Sequence, residues 1–391
     1  MTGGTKFKTC LIISIFLLGM VCTSAAGRTI YVDNYGTGDF NNIQAAINDA
    51  NDGDTIIVAD GTYTGDGNRD IDFLGKAITV RSESGPQNCI IDCNGTESDR
   101  HRGFFLHSGE NANSAIIGFT ITNGYAPLEY IPPPTDMWFS QGGAICCYGS
   151  SPTVTNCIIS GNSACANANY GYGGGIYTSG DSPTITNCTF SSNRANYQGG
   201  GINSYYGRPT ITNCTFSSNR ANYFGGGIAC DWPGSVTLTN CILWRNIASY
   251  GSQQISDYGS STVTYSDVQG GWSGPGNINT DPCFADPCNG DYHLKSQAGN
   301  WDSNEGRWTK AEVTSPCIDA GNPMSPIGLE PFPNGGRINM GAYGGTSQAS
   351  KSYFGQQPCE IIIAGDINGD CKVNFLDFRI MAFHWLQDNN P

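Results

Sequence analysis

The sequence is poor in charge, and cations are especially few. Charged residues make up 13% of the 391 residues, with 19 Lys and Arg against 33 Asp and Glu, for a formal net charge of −14. Because nucleic-acid binding depends on a basic surface, this balance argues against a nucleic-acid partner. Long apolar runs are also lacking: beyond the N-terminus no stretch reaches the roughly 18 residues that a transmembrane helix needs. We therefore expect a chain that does not span a membrane.

Residues 1–26 have the pattern of a secretory signal peptide. Lys6 and Lys8 precede an apolar run over residues 11–21, which is too short to span a bilayer, and small residues follow at 24–26. This predicts a secreted protein, extracellular or at the cell surface.

Four of the 17 cysteines follow a repeat. Cys157, Cys188, Cys214 and Cys241 each end the phrase Thr-Asn-Cys, at intervals of 31, 26 and 27 residues. A stacked repeat explains this regularity better than a disulfide framework does, so we expect these four to be buried in one column. Disulfides are expected instead among Cys89/Cys93, Cys283/Cys288 and Cys359/Cys371, with their connectivity left open.

A repeat of about 26 residues determines the fold class. Residues 183–193 and 209–219 are identical, and Gly-Gly-Gly-Ile separates the copies. Short β-branched segments between turn residues predict an all-β solenoid with three-stranded coils. Alternation along the strands turns Ile185, Cys188 and Phe190 inward.

Asparagines recur at two positions of the repeat. Since Asn tolerates the left-handed region, we interpret both sets as structural corners whose stacked amides can bond along the column. The two sets are Asn156, Asn187, Asn213, Asn240 and Asn162, Asn193, Asn219, Asn246.

These phrases resemble right-handed parallel β-helix proteins of the pectin-lyase-like kind, and residues 29–47 are similar to the entry of pectin methylesterase-like β-helices. The resemblance implies a right-handed parallel β-helix and an association with polysaccharide. The apolar spacing of residues 43–50 adds a short helix that caps the N-terminal end. The domains expected are a β-helix with its cap over 27–276, a C-terminal closing module over 277–349, a linker over 350–358 and a tail over 359–391.

The resemblance supplies no catalytic set. The Asp-Phe-Ile-Phe-Gly phrase of pectin methylesterases is missing, as are the clustered Asp pairs of polygalacturonases and the acidic cluster with Lys or Arg expected of pectate lyases. Catalytic residues are therefore left unassigned.

Tyrosines with polar neighbours form the candidate carbohydrate surface, because sugar rings stack on aromatic side chains and hydrogen-bond at their rim. Alternation sends Tyr177, Asn203, Tyr205 and Asp231 outward from the column. The insertion 125–139, interpreted as a long loop, adds aromatic residues. These are Tyr125, Tyr130, Trp138 and Phe139, and the first three are candidate binding residues.

The tail contains a calcium-loop pattern. Side-chain oxygens recur at loop positions 1, 3, 5, 9 and 12, and position 7 would contribute its backbone carbonyl. The predicted ligands are Asp366, Asn368, Asp370, Lys372, Asn374 and Asp377. A helix is expected over residues 378–386. The pattern looks like one repeat of a type I dockerin, which implies a cohesin-like partner; Cys371 replaces the usual Gly, and dockerins normally carry two repeats.

Two functional hypotheses follow. The first is a secreted polysaccharide-associated protein, either a lyase, a hydrolase or a non-catalytic binder. The second is a surface adhesin or structural solenoid, favoured by Gly-Gly-Ala-Ile and Phe-x-x-Asn phrases that look like those of bacterial outer-membrane repeat proteins.

Overall fold

A computed structural model describes residues 27–132, 136–165, 170–180, 182–258, 261–354, 365, 367 and 372–387. The repeat-bearing part forms a parallel β-solenoid of about eight coils, so the predicted all-β parallel solenoid is confirmed. The predicted signal peptide and most of the predicted calcium loop lie outside the described residues.

Three parallel sheets run along the column. Sheet A contains nine strands: Thr29–Val32 (β1), Thr55–Val58 (β2), Thr79–Ser82 (β4), Ala115–Ile117 (β7), Thr153–Thr155 (β12), Thr184–Thr186 (β17), Thr210–Thr212 (β21), Thr237–Thr239 (β25) and Thr262–Thr264 (β29). Sheet B contains eight: Gly61–Tyr63 (β3), Cys89–Asp92 (β5), Thr120–Thr122 (β8), Ile158–Ser160 (β13), Thr189–Ser191 (β18), Thr215–Ser217 (β22), Ile242–Trp244 (β26) and Asp267–Val268 (β30). Sheet C contains six: Phe104–Leu106 (β6), Ile145–Tyr148 (β11), Ile176–Ser179 (β16), Ile202–Tyr205 (β20), Ile228–Asp231 (β24) and Ile255–Asp257 (β28).

Shorter elements decorate this column. A fourth sheet, D, has two-residue strands: Ser163–Ala164 (β14), Arg194–Ala195 (β19), Arg220–Ala221 (β23) and Ile247–Ala248 (β27). The insertion forms an antiparallel hairpin, Leu128–Ile131 (β9) and Met137–Gln141 (β10), whose second strand pairs with Tyr170–Tyr172 (β15). The C-terminal part adds Phe284–Asp286 (β31), a 3-10 turn at Pro287–Asn289, Asp291–Leu294 (β32), Asn300–Asp302 (β33) and Arg307–Thr309 (β34). The helices are Ile43–Asp49 (α1) and Phe375–Gln387 (α2).

The column interior follows the predicted alternation. Ile185, Cys188 and Phe190 are fully buried. Phe190 stacks on Phe216 of the next coil with ring centroids 4.5 Å apart and ring planes within 3° of parallel. The same position of the repeat thus meets its copy in the next coil, and these stacked side chains build a continuous apolar core.

The cysteine column is confirmed, whereas two disulfide predictions are wrong. Cys157, Cys188, Cys214 and Cys241 are all buried at the same corner of successive coils. Cys89 and Cys93 are free thiols, because four residues of extended strand separate their Cα atoms by about 13 Å, beyond the roughly 7 Å that a disulfide tolerates. Cys283 and Cys288 are also free, with Cys288 exposed. The third predicted pair, Cys359/Cys371, lies outside the described residues.

The two asparagine sets differ in structure. Asn162, Asn193, Asn219 and Asn246 form a buried ladder in which each side-chain nitrogen donates to the next side-chain oxygen at 2.9–3.0 Å. The other set adopts the left-handed backbone, with φ between 50° and 57°. Its side chains do not bond along the column as predicted; three of them bond to the closing module instead.

That closing module lies along the side of the column. The Asn187 side chain donates to the carbonyls of Ala342 and Gly344, and Asn213 donates to Gly344 as well. Asn240 bonds both Asn322 and Ser325. Residues 350–352, which belong to the predicted linker, also hydrogen-bond to this part of the chain.

Helix α1 forms where its spacing predicts. Asn42 caps it by accepting the backbone N–H of Ala45 at 2.8 Å, and Ile43, Ala46 and Ile47 are buried. Its capping role stays a prediction. Among the described residues no helix has the length and apolar character to cross a bilayer.

Candidate functional site

A cleft of about 590 Å³ lies over the outer face of sheet C. Sheet C forms its floor, and the β9–β10 hairpin and the residues before Gly173 and Gly199 form its walls. We call this space the cleft. The residues that line it are Glu129, Tyr130, Phe139, Gln141, Tyr148, Tyr172, Tyr177, Ser179, Tyr197, Gln198, Asn203, Tyr205 and Asp231.

The floor is built by strand register. Tyr177 of β16 lies opposite Asn203 of β20, and two residues further Ser179 lies opposite Tyr205. Since the strands are parallel and in register, each coil places one side chain in each of these two rows. Tyr177 and Asn203 are buried beneath the cleft, whereas 42% of Tyr205 is exposed.

The hairpin forms an aromatic wall. Tyr130 and Trp138 are cross-strand partners with ring centroids 4.9 Å apart, and each is 44% exposed. Phe139 stacks on Tyr170 and Tyr172, which joins the hairpin to the column. The insertion is therefore an ordered element and not the predicted loop.

Asp231 is held among amides. Its Oδ2 accepts from the Asn203 side-chain nitrogen at 3.2 Å. The Gln198 amide lies against the same carboxylate, with its nitrogen 2.6 Å from Oδ1 in the orientation that satisfies both groups. Burial raises the pKa of Asp231 above its ordinary value, although the bond from Asn203 favours the ionised form.

The second carboxylate of the cleft, Glu129, lies on the hairpin. It pairs with Arg102 at 3.3 Å, and Arg102 is itself buried. A carboxyl with a raised pKa can donate a proton to a glycosidic oxygen. An ionised second carboxylate can activate water as a base or attack the sugar as a nucleophile. The cleft thus has the groups for sugar recognition and two carboxyls for acid–base chemistry.

Five of the seven predicted carbohydrate residues meet in this cleft: Tyr130, Tyr177, Asn203, Tyr205 and Asp231. Trp138 packs on Tyr130 outside the lining, and Tyr125 lies elsewhere, under the guanidinium of Arg100.

Sequence reasoning missed several lining residues that alignment of the repeat could have found. Tyr148 follows Ile145 by three residues, as Tyr205 follows Ile202. Gln141, Tyr172 and Gln198 each precede the first glycine of a repeat. Glu129 carried no such signal, because its place depends on the hairpin, whereas Phe139 is one of the aromatic residues that the insertion concentrates.

Half of the predicted calcium ligands can be located. Asp366, Asn368 and Asp370 lie outside the described residues, whereas Lys372, Asn374 and Asp377 lie at or just before α2. Asp377 is 1% exposed; its Oδ1 accepts the N–H of Ile367 at 2.8 Å and its Oδ2 accepts the N–H of Asn374 at 2.7 Å. Within the described part of the chain, no group of three or more His, Cys, Asp or Glu is arranged so that it could hold a metal ion.

Comparison with known proteins identifies the scaffold. The family model described as right handed beta helix region matches residues 54–243 and 143–271. A solved pectin methylesterase from carrot is similar with 14% identity and a TM-score of 0.37, over 67% of this chain and 80% of that chain. The crystal structure of pectate lyase Pel9A is similar with 14% identity and a TM-score of 0.43, over 81% of this chain and 96% of that chain. No curated protein matches the sequence.

Proposed function

The chain belongs to the right-handed β-helix family, and we propose that it uses this scaffold to bind polysaccharide in the cleft. The observation that carries the proposal is the convergence of aromatic rings and amide side chains over one sheet face. Sugar rings present C–H faces that stack on aromatic side chains and hydroxyls that bond to amides and carboxylates. The protein would thus act in association with polysaccharide outside the cell.

Binding is tested with the full chain on a glycan array, followed by calorimetric titration of the glycans retained. Tyr130→Ala should lower affinity because it removes an exposed ring from the hairpin wall. Tyr35→Ala is the matched control, since Tyr35 is 80% exposed and not part of the cleft. Equal affinity of the two variants would contradict the proposed site. An absence of any glycan binding would favour the alternative, a surface adhesin or structural solenoid.

Glycoside hydrolysis is a second candidate, because Asp231 and Glu129 are two carboxyls in one cleft with different surroundings. Asp231→Asn keeps the shape of the side chain and one acceptor oxygen but removes the acidic proton. It should abolish release of reducing ends from any glycan that binds, while binding persists. Retained turnover in this variant would exclude Asp231 as the acid.

We further propose that the tail binds calcium. The buried Asp377 carboxylate ties positions 2 and 9 of the loop to position 12, and this closure fits a ligand loop wrapped around one ion. Asp366, Asn368, Asp370, Asn374 and Asp377 would supply side-chain oxygens, and Lys372 its carbonyl. Calcium would neutralise the carboxylates, so binding and ordering of the loop should be coupled. A cohesin-like protein is the partner we propose for the calcium-loaded tail.

Calorimetric titration of the full chain tests the metal. The parent protein should bind calcium, and Asp366→Ala should abolish binding without changing the melting temperature of the β-helix. Asp60→Asn, at an exposed acid of the column, is the control and should bind as the parent does. No heat of binding at millimolar calcium would overturn the proposal.

Secretion is also proposed on the pattern of residues 1–26. N-terminal sequencing of protein recovered from the medium should begin at about residue 27.

A further inference from the structure

One row of side chains along sheet C alternates between aromatic and polar residues. Register places Tyr148 opposite Ser179, Ser179 opposite Tyr205, and Tyr205 opposite Asp231. Cys230 lies opposite Asp257, the last residue of β28. Continuing this register by one residue assigns Tyr258 the position opposite Asp231. We call Tyr148, Ser179, Tyr205, Asp231 and Tyr258 the outer row.

The three tyrosines of the outer row are available to a ligand. Tyr148 is 57% exposed, Tyr205 42% and Tyr258 57%. They recur at every second coil, and because parallel strands lie about 4.8 Å apart, successive tyrosines are separated by about 9.6 Å. Four of the five row members line the cleft, so the row runs along its floor.

This spacing corresponds to two sugars of an extended chain. In a β-1,4-linked glycan each pyranose is turned over relative to the one before it, so the same ring face returns at every second residue. One pyranose advances the chain by close to the height of one coil. Every second sugar can therefore stack on a row tyrosine, while the sugars between them face Ser179 or Asp231 and hydrogen-bond there.

The charge of the cleft selects among such chains. No Lys, Arg or His is among the residues that line it, and its two ionisable acids are Glu129 and Asp231. The cation nearest to these acids is Arg102, which already pairs with Glu129. Uronic-acid chains would therefore bring their carboxylates into the cleft without a free counter-charge, which costs free energy. Uncharged chains meet no such repulsion.

We propose that the outer row is a binding track for an extended, uncharged β-1,4-linked glycan, with Tyr148, Tyr205 and Tyr258 contacting alternate sugars. This rests on the proposed function, since it names the ligand class of the same cleft. Because one pyranose corresponds to the spacing of one coil, the five positions of the outer row accommodate about five sugars.

The test is calorimetric titration of the full chain with β-1,4-linked gluco-, xylo- and manno-oligosaccharides of increasing length, and with oligogalacturonates as the charged comparison. Affinity for at least one neutral series should rise up to about five sugars and then level off. Tyr258→Ala should lower affinity for the pentamer roughly fivefold, the loss of one stacking contact, and leave the trimer unchanged. Tyr205→Ala should weaken both.

Tyr250→Ala is the control, because Tyr250 is 62% exposed and outside the outer row. The track would be overturned, while the proposed function stands, by any of three results. These are an affinity that does not increase from the trimer to the pentamer, an unchanged pentamer affinity in Tyr258→Ala, or tighter binding of oligogalacturonates than of the neutral series. An absence of binding by every oligosaccharide would overturn both. Circular dichroism of each variant confirms that the column is folded.

Discussion

Asparagine side chains at two corners of the coil stabilise different parts of the molecule. In the buried ladder, the Asn219 oxygen accepts both the backbone N–H and the side-chain N–H of Asn193, at 3.1 and 2.9 Å. Its nitrogen donates to the carbonyl of Phe190 and to the side chain of Asn246. At the other corner, the side chains of Asn187 and Asn213 bond outward to the closing module. The same residue type thus joins neighbouring coils in one place and joins two parts of the chain in the other.

Replacing Asn219 with Ala should destabilise the column by about 3 kcal/mol or more, because several buried polar groups lose a partner at once and each costs roughly 1–3 kcal/mol. Denaturant unfolding measures the effect. Arg220→Ala changes the adjacent exposed residue and should shift the free energy of unfolding by less than about 0.5 kcal/mol. Equal stability of the two variants would show that water can take over the hydrogen bonds of the Asn219 side chain.

Much at the residue scale could be predicted from the repeat, because a recurring residue must meet its own copy in the next coil. Cys188 and Phe190 follow this rule, and the ladder of Asn193 follows it as well. The rule fails for Asn187, whose partner is separated by more than 150 residues in sequence. No local pattern identifies such a contact.

At the scale of elements, the irregular segments explain what sequence reasoning missed. The insertion 125–139 is predicted as a long loop, and three consecutive prolines, 132–134, separate the two strands that it forms. Its strands become ordered by pairing with β15, which belongs to the next coil. Glu129 and Phe139 therefore reach the cleft through a tertiary contact that the sequence of the insertion does not contain.

Within the closing module, Glu330 makes stability depend on pH. Its Oε1 accepts the backbone N–H groups of Asn339 and Gly345 at 2.8 and 2.9 Å, and burial raises its pKa to about 7. A carboxyl group whose pKa is higher in the folded than in the unfolded protein stabilises the folded state. This contribution is fully present at pH values below the pKa of the unfolded chain, near 4.5, and it is lost as pH rises through about 7. Burial raises the pKa of Asp319 in the same module, so it acts in the same direction.

Glu330→Gln should remove part of this dependence, because the amide oxygen can still accept both bonds but carries no titrating proton. Melting temperatures of the parent and the variant, measured between pH 5 and 8, give the comparison. The parent should lose stability relative to the variant as pH rises through about 7. A constant difference across this range would mean that Glu330 titrates as it does in the unfolded chain.

At the scale of the whole molecule, the cleft and the closing module occupy different faces of one column. Every residue that lines the cleft precedes residue 232, whereas the module bonds to the corner asparagines next to sheet B. The module also buries Ile242 with Phe284, Leu294 and Met340 in a second apolar cluster. We therefore expect the module to stabilise the scaffold without contributing to the binding surface.

Two truncations test this division. A chain that ends at residue 354 keeps all the module contacts, and it should match the full chain in melting temperature and in oligosaccharide affinity. A chain that ends at residue 276 leaves Asn187, Asn213 and Asn240 without these partners and exposes Ile242, which was fully buried. It should melt at a lower temperature and aggregate on size-exclusion chromatography, because exposed apolar surface and unpaired polar groups both favour association. If the shorter chain were as stable and monodisperse as the longer one, the module would be an appendage to an independent column. If the chain ending at 354 lost oligosaccharide affinity, the tail would take part in binding.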